Sequence, residues 1–332
     1  MQRSIMSIRV ILLLVLSFTA TALAEPHPGS DAFVRDAATK HGLDEARLRA
    51  LLEQAEYKQS IVDAISRPAE AKPWYDYRPI FLTDRRIDGG VEFWRENEAL
   101  IERVSREYAV EPEVIVAIIG VETQYGRITG SYRVLDALAT LGFHWPQDLP
   151  RDRSAFFASE LEEFFVLAEE ENLPPTEVTG SYAGAMGLGQ FIPSSYRAYA
   201  VDFDGDGKRD LWRSTPDAVA SVANYLARHG WRAGEPVALS LKATDQADPK
   251  LPTRSEFVPQ RSLIEITSAG YAHDHDLDPA TQAAVLMLEE RDGESHWLTF
   301  QNFYVITRYN RSPLYAMAVH QLAEAVRKAY AG

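Results

Sequence analysis

From Val114 to Val121 the chain reads Val-Ile-Val-Ala-Ile-Ile-Gly-Val, apolar at every position, and then turns polar at Glu122-Thr123-Gln124-Tyr125-Gly126. Pro112 stands where a first helical turn tolerates proline, and Gly126 where a helix ends. The pattern predicts a helix buried on all sides. Glu122 is then a carboxyl group near the carbonyl end of an interior helix. Desolvation and the negative end of the helix dipole both disfavour its anion, so the position predicts a raised pKa and a role as general acid. The plain alternative is a surface glutamate in a last helical turn.

Other apolar positions follow helix spacing over 30–66, with Phe33, Ala37, Leu48, Leu51 and Leu52 on one face. Residues 67–90 are rich in proline and aromatics and read as a connector, with Trp74, Tyr75 and Tyr77 either lining a groove or packing two helical layers together. Helices are expected over 91–108, 133–142, 154–171, 214–229 and 312–330. Between them, 235–308 changes texture. Runs at 236–239, 263–266, 284–288 and 303–306 look like short strands separated by Pro, Gly and Asp. The expected class is α+β, predominantly helical.

The 332 residues, 46% of them hydrophobic, suffice for a real core and one or two domains. Residues 1–24 read as a secretory signal, with Arg3 and Arg9, an apolar stretch from Val10 to Leu16, and Ala22-Leu23-Ala24 before Glu25; retention of this leader as an anchor stays open. No cysteine is present, which excludes disulfides, a thiolate nucleophile, cysteine-ligated zinc and a lipid-modified N-terminal cysteine. An exported chain of this kind must be held by its core or by a metal. The net charge of −14 disfavours nucleic acid and anionic membranes, but not an anionic polymer in a locally neutral groove.

Three further stretches carry chemistry. Gly180 to Tyr196 has close-set glycines that let a backbone approach something bulky. Its spacing fits no phosphate-binding loop. Ser181, Tyr182, Gln190, Phe191 and Tyr196 offer hydroxyls, an amide and flat apolar faces, which suit sugar; a tightly packed helix–loop junction is the alternative. Asp202-Phe203-Asp204-Gly205-Asp206-Gly207-Lys208-Arg209-Asp210 has the opening of an EF-hand calcium loop, with Lys208 offering its carbonyl. The twelfth position is Arg213 rather than Glu, and Asp217 can complete the cage from a longer loop. A solvated Asp-Gly turn is the alternative; a metal here would be structural, since calcium activates water weakly. Tyr304 to Tyr315, with Arg308-Tyr309-Asn310-Arg311 inside, reads as a groove lining or as a turn before the last helix. No H-E-x-x-H, G-x-S-x-G or serine triad is present.

Taken together, Ile118-Ile119-Gly120-Val121-Glu122-Thr123, Gly126-Arg127, Arg133 to Leu141, Ala183 to Gly187, Gly189-Gln190-Phe191, Pro193 to Tyr196, Ala200 to Phe203, Gly205-Asp206-Gly207 and Ser221 to Tyr225 resemble the membrane-bound lytic murein transglycosylase B family, bacterial enzymes that cut peptidoglycan strands. The resemblance spans nearly all of the chain after residue 24. It implies a leader at 1–24, a helical N-terminal layer at 25–110, a lysozyme-like core with the EF-hand-like loop at 111–232, a small β domain at 233–300 and a segment at 301–332 returning to the core. It places the single acid/base at Glu122, sugar contacts at Tyr77, Ser181, Gln190, Phe191, Tyr225, Tyr309, Asn310 and Tyr315, and calcium at Asp202, Asp204, Asp206, Lys208 and Asp217. It implies a periplasmic monomer, soluble once the leader is cut. That protein would act on peptidoglycan glycan strands without an organic cofactor, and would work beside cell-wall synthesis or remodelling proteins. The bond cut would be MurNAc-β-1,4-GlcNAc, leaving 1,6-anhydromuramyl ends. A muramidase cutting the same bond with water, or a non-catalytic peptidoglycan-binding protein, would use many of the same residues.

Overall fold

The computed structural model describes residues 27–67, 71–253 and 257–332; the expected leader lies outside the described residues. The helical N-terminal stretch is three short helices, α1 Ser30–His41, α2 Glu45–Leu52 and α3 Gln59–Ile65. They pack on α8 Val134–Phe143 and α9 Ser154–Glu170 through polar hooks as well as apolar faces. Asp136 on α8 is buried, accepts a 2.9 Å hydrogen bond from the Glu56 backbone N–H, and is held by Arg133 at 2.6 and 2.8 Å. Thr140, one turn on, accepts the Lys58 backbone N–H at 3.1 Å.

The 67–90 connector is largely helical. α4 spans Trp74–Phe81 and α5 spans Asp84–Glu96, followed by α6 Glu98–Tyr108, so the helix read over 91–108 is two helices broken at Asn97. Proline and the Gly89-Gly90 pair hide these elements in the sequence. The glycines sit inside α5 because the Tyr125 ring fills the space their side chains would take. A Cβ on Gly90 would come 2.6 Å from the Tyr125 hydroxyl. Thr83 starts α5 by accepting the Arg86 backbone N–H at 3.2 Å.

α7, Pro112–Thr123, is the central helix, and residues Val114 to Val121 are all buried. It packs against α5, α6, α11 Thr215–Arg228 and α14 Pro313–Ala331. The two-stranded pair β1 Tyr132–Arg133 and β2 Thr179–Gly180, with α10 Pro193–Tyr199, completes this layer. The later region forms a five-stranded antiparallel sheet in the order β4-β6-β7-β3-β5, from β3 Ala238–Ala243, β4 Arg261–Ser262, β5 Tyr271–Ala272, β6 Gln282–Glu290 and β7 Gly293–Thr299. It has its own apolar cluster around Leu241, Ile266, Tyr271, Val285 and Leu298.

Two of the strand readings are overturned. Leu263 to Ile266 lies in a helix, α12 Leu263–Ser268, because Ser262 and Glu265 form a reciprocal capping box. Phe303 to Ile306 lies in α13 Gln301–Tyr309, where Phe303, Val305 and Ile306 make the buried face. A short apolar run does not distinguish a buried strand from a buried helix face. Among the described residues no helix is long and apolar enough to cross a membrane.

Asp136 is the hook between the N-terminal layer and α8. Asp136→Ala is expected to cost about 2–4 kcal/mol, since it leaves the Glu56 backbone N–H without its acceptor and takes from Arg133 its buried carboxylate partner. Urea unfolding measures this, and a loss below about 0.5 kcal/mol would contradict the role given to Asp136.

Candidate active site and metal loop

α7 ends in a tight turn. The Gln124 backbone N–H reaches Gly120 O at 3.1 Å and that of Tyr125 reaches Ile119 O at 3.4 Å, while Gln124, Tyr125 and Gly126 all have positive φ (50°, 61° and 83°). Glu122 therefore sits in the last turn, partly buried, just where the buried helix meets the remaining chain. Its partner comes from the far end of the sequence. The Tyr315 hydroxyl on α14 donates a 2.6 Å hydrogen bond to Glu122 Oε1. Tyr315 is oriented at the start of α14, where Ser312 accepts the Tyr315 backbone N–H at 3.4 Å. Burial first, and the charge of Glu122 second, push the phenols of Tyr315 and Tyr309 well above their ordinary range, so both stay protonated donors.

The glycine-rich stretch folds back as a loop beside this pair. The Tyr309 hydroxyl donates to Gly189 O, which joins α13 to the loop. Tyr309 also meets Phe191 at 5.7 Å and Tyr225 at 4.7 Å, ring centre to ring centre. Phe191 and Tyr225 are buried, as are Tyr77 and Tyr315, so these rings back the site rather than lie open in it. Gln190 uses its amide N–H groups on Thr129 O (3.1 Å) and Gly187 O (2.9 Å), leaving its carbonyl for a ligand. Ser181 Oγ accepts the N–H groups of Ala185 at 3.1 Å and Ala183 at 3.3 Å, so its own hydrogen is left to donate. Asn310 Oδ1 accepts the Ser312 N–H at 3.0 Å, which leaves its amide N–H groups as donors. Of the expected sugar contacts, Ser181, Gln190, Tyr309 and Asn310 remain partly exposed.

The sequence reading missed a positive edge. Arg153 lies over the rings of Phe156 and Phe157 at 4.7 and 5.2 Å, and burial, then Arg151 and Arg311, pull it below the ordinary arginine value. Arg308 and Arg311 both act on Tyr225. The signal was available, because no acidic residue lies between Glu294 and Glu324 in a chain of net charge −14.

The acidic loop closes on itself. Asp202, Asp204 and Asp217 each bring a carboxylate oxygen within 4.8 Å of the others, a spacing that suits the oxygen shell of a hard divalent cation. Asp217, at the start of α11, is buried and ties both ends of the loop through the N–H groups of Phe203 (2.8 Å) and Asp210 (2.9 Å). Burial raises its pKa. Asp206, a ligand by EF-hand spacing, stands outside this three-carboxylate cluster and accepts the Lys208 N–H at 2.9 Å. The loop also reaches the site: Leu211 O accepts the Leu188 N–H at 2.8 Å.

Residues 26–324 match the family model described as Transglycosylase SLT domain. The chain belongs to this family. It is 42% identical over 310 residues to the membrane-bound lytic murein transglycosylase B of Escherichia coli K12, covering 90% of this chain and 83% of that one. Soluble lytic transglycosylase SltB1 from Pseudomonas aeruginosa superposes with a TM-score of 0.83 at 47% identity, covering 92% of this chain and all of that one. The Escherichia coli lytic transglycosylase Slt35, solved with calcium, gives 0.81 at 40% identity over 92% of this chain and 95% of that one. Pseudomonas aeruginosa SltB3, solved with NAG-anhNAM-pentapeptide, gives 0.77 at 32% identity over 90% of this chain and 78% of that one. The lysozyme-like, mostly helical class expected from the sequence agrees with these likenesses.

The join between acidic loop and site rests on Gly187, whose φ is +69° and whose added Cβ would stand 2.5 Å from Leu211 O. Gly187→Ala is expected to destabilise the fold by about 2–4 kcal/mol, from left-handed strain plus overlap. A denaturation midpoint equal to that of the unaltered protein would contradict this packing.

Proposed function

We propose that this lytic transglycosylase cleaves the MurNAc-β-1,4-GlcNAc bond of peptidoglycan with Glu122 as its one acid/base group. The observation that carries the reading is the Tyr315–Glu122 hydrogen bond at the end of a buried helix, inside a ring of phenols too buried to ionise. Ordinary glycosidases use two carboxylates at a fixed separation. Here the second role is met from within the substrate.

Protonated Glu122 gives its proton to the glycosidic oxygen, and the C1–O bond of the muramyl unit breaks as the GlcNAc hydroxyl leaves. The muramyl 2-acetamido oxygen stabilises C1, as in the substrate-assisted exceptions to the two-carboxylate rule. Tyr315, already donating to Glu122, stabilises the carboxylate that forms. That carboxylate then takes the proton from the C6 hydroxyl, whose oxygen bonds to C1 and closes the 1,6-anhydro ring. No water is consumed, and Glu122 ends protonated. Ser181 donates to the acetamido carbonyl. Gln190 and Asn310 hold sugar hydroxyls, Tyr309 fixes the glycine-rich loop, and Tyr77, Phe191 and Tyr225 form the wall behind it. The arginine edge meets acidic substituents of the strand. The chain works in the periplasm after loss of residues 1–24.

Asp202, Asp204 and Asp217 would hold calcium, with Asp206 and the Lys208 carbonyl as further donors along the loop. In a chain without cysteine the ion would fasten the segment that carries Leu211 against Leu188, and so the floor of the glycine-rich loop.

Two outcomes are expected. Glu122→Gln keeps the fold and loses about 10³-fold in the rate of sacculus digestion, within the range for a positioned general acid. Digestion at the unaltered rate by the purified variant would end the assignment. Chelation lowers the melting temperature by roughly 5–10 °C, and calcium restores it. Calorimetry that finds no calcium binding, with a melting curve indifferent to chelator, would remove the metal from the loop.

A further inference from the structure

Arg86 is a charged residue that the chemistry above does not use. It lies on α5, half-buried, and its guanidinium crosses to the end of α7. Nη1 donates to Gly120 O and reaches Val121 O at 3.4 Å, and Nη2 reaches Ile80 O at 3.5 Å. The guanidinium lies 5.2 Å from the centre of the Phe81 ring. No described carboxylate pairs with it, and burial pulls its pKa below the ordinary arginine value. A positive charge without an acid partner, taken partly out of water, needs a reason to be there.

The helix end supplies one. The last carbonyls of a helix lack intrahelical partners and carry its negative partial charge. In α7 the turn at Gln124 and Tyr125 satisfies Gly120 O and Ile119 O from the backbone, and Ile128 N–H satisfies Thr123 O at 2.9 Å. Arg86 takes Val121 O and shares Gly120 O. Those two carbonyls belong to the residues just before Glu122. The contact runs both ways, since the Tyr125 hydroxyl donates to Arg86 O at 2.9 Å. The Tyr125 ring fills the slot left by Gly89, Gly90 and Gly120, where a Cβ on Gly120 would stand 2.5 Å from its hydroxyl. α5 and the end of α7 are thus clasped at two points.

We infer that Arg86 is a positioning residue for the reaction: its guanidinium holds the Gly120 and Val121 carbonyls and so fixes the last turn of α7, keeping the Glu122 carboxyl aimed at Tyr315. This rests on the reading of Glu122 as the acid/base group. Arg86 touches no substrate in this account. Arg86 and Arg127 are the cations that act on the Tyr125 hydroxyl in this turn, while the charge of Glu122 acts on Tyr309 and Tyr315. Of the two arginines, Arg127 is exposed and pairs with Glu92 at 3.3 Å.

Arg86→Gln and Arg86→Lys in the full chain test the inference, with melting curves as a control and soluble glycan strands as substrate. Arg86→Gln should lose about 10-fold or more in kcat with KM within about twofold, because the acid is misplaced and not the sugar. Arg86→Lys keeps a donor but not the fork, so kcat should fall less, again with KM nearly unchanged. A folded Arg86→Gln with unchanged kcat overturns the inference, as does one whose loss lies in KM rather than kcat. If Arg86→Gln does not fold, Arg86→Lys decides: a folded variant with reduced kcat and unchanged KM supports the inference, and full kcat overturns it. The reading of Glu122 fails separately, through Glu122→Gln in an otherwise unaltered chain.

Discussion

One hydrogen bond ties the end of the central helix to the start of the last one. Tyr315 stands 193 residues beyond Glu122 and donates to it from the first turn of the last long helix. For that bond to exist, α14 must lie against α7, and the small sheet must be inserted without pulling the chain's last segment away. α7 in turn must be apolar throughout, because α5, α6, α11 and α14 surround it. A carboxyl group at the end of such a helix is seated by packing on every side and by a donor whose own proton is secured by burial. Rigidity of this kind suits a group asked to give a proton and then take one back.

The neighbouring features read as supports of that seat. The glycine-rich loop is fixed by Tyr309 from α13, by Gln190 from within, and by Leu211 from the acidic loop. The acidic loop gathers three carboxylates that repel one another unless a cation joins them, so its order and the order of the glycine-rich loop are linked. Arg86 and Tyr125 clasp the other side of the α7 terminus. Glu122 thus has a donor from α14 and lies at the end of a helix clasped by Arg86, with the glycine-rich loop joined to Tyr309.

Much of this was legible in the residues. The continuous apolar run predicted a buried helix with Glu122 in its last turn, and the structure has both. The Asp-rich spacing pointed to a cation, and Asp217 joins Asp202 and Asp204 despite lying past the usual loop. What stayed hidden had local causes. α4 and the start of α5 were masked by proline and by Gly89-Gly90, which are there to admit a tyrosine from a distant turn. The strand reading of Leu263 to Ile266 failed because a capping box outweighs a four-residue apolar run, and that of Phe303 to Ile306 failed because one buried helix face looks the same over so short a window. Burial of Tyr77, Phe191 and Tyr225 could not be read either, since an aromatic offers the same face to a sugar and to a core.

In the proposed reaction the bond is broken by one carboxyl group with no water taken up. Digesting purified peptidoglycan in water enriched in oxygen-18, followed by mass spectrometry of the released muropeptides, tests it most directly. The account predicts anhydromuramyl products that carry no label from the solvent. Reducing ends bearing one atom of oxygen-18 would show that water attacks C1, and would contradict it.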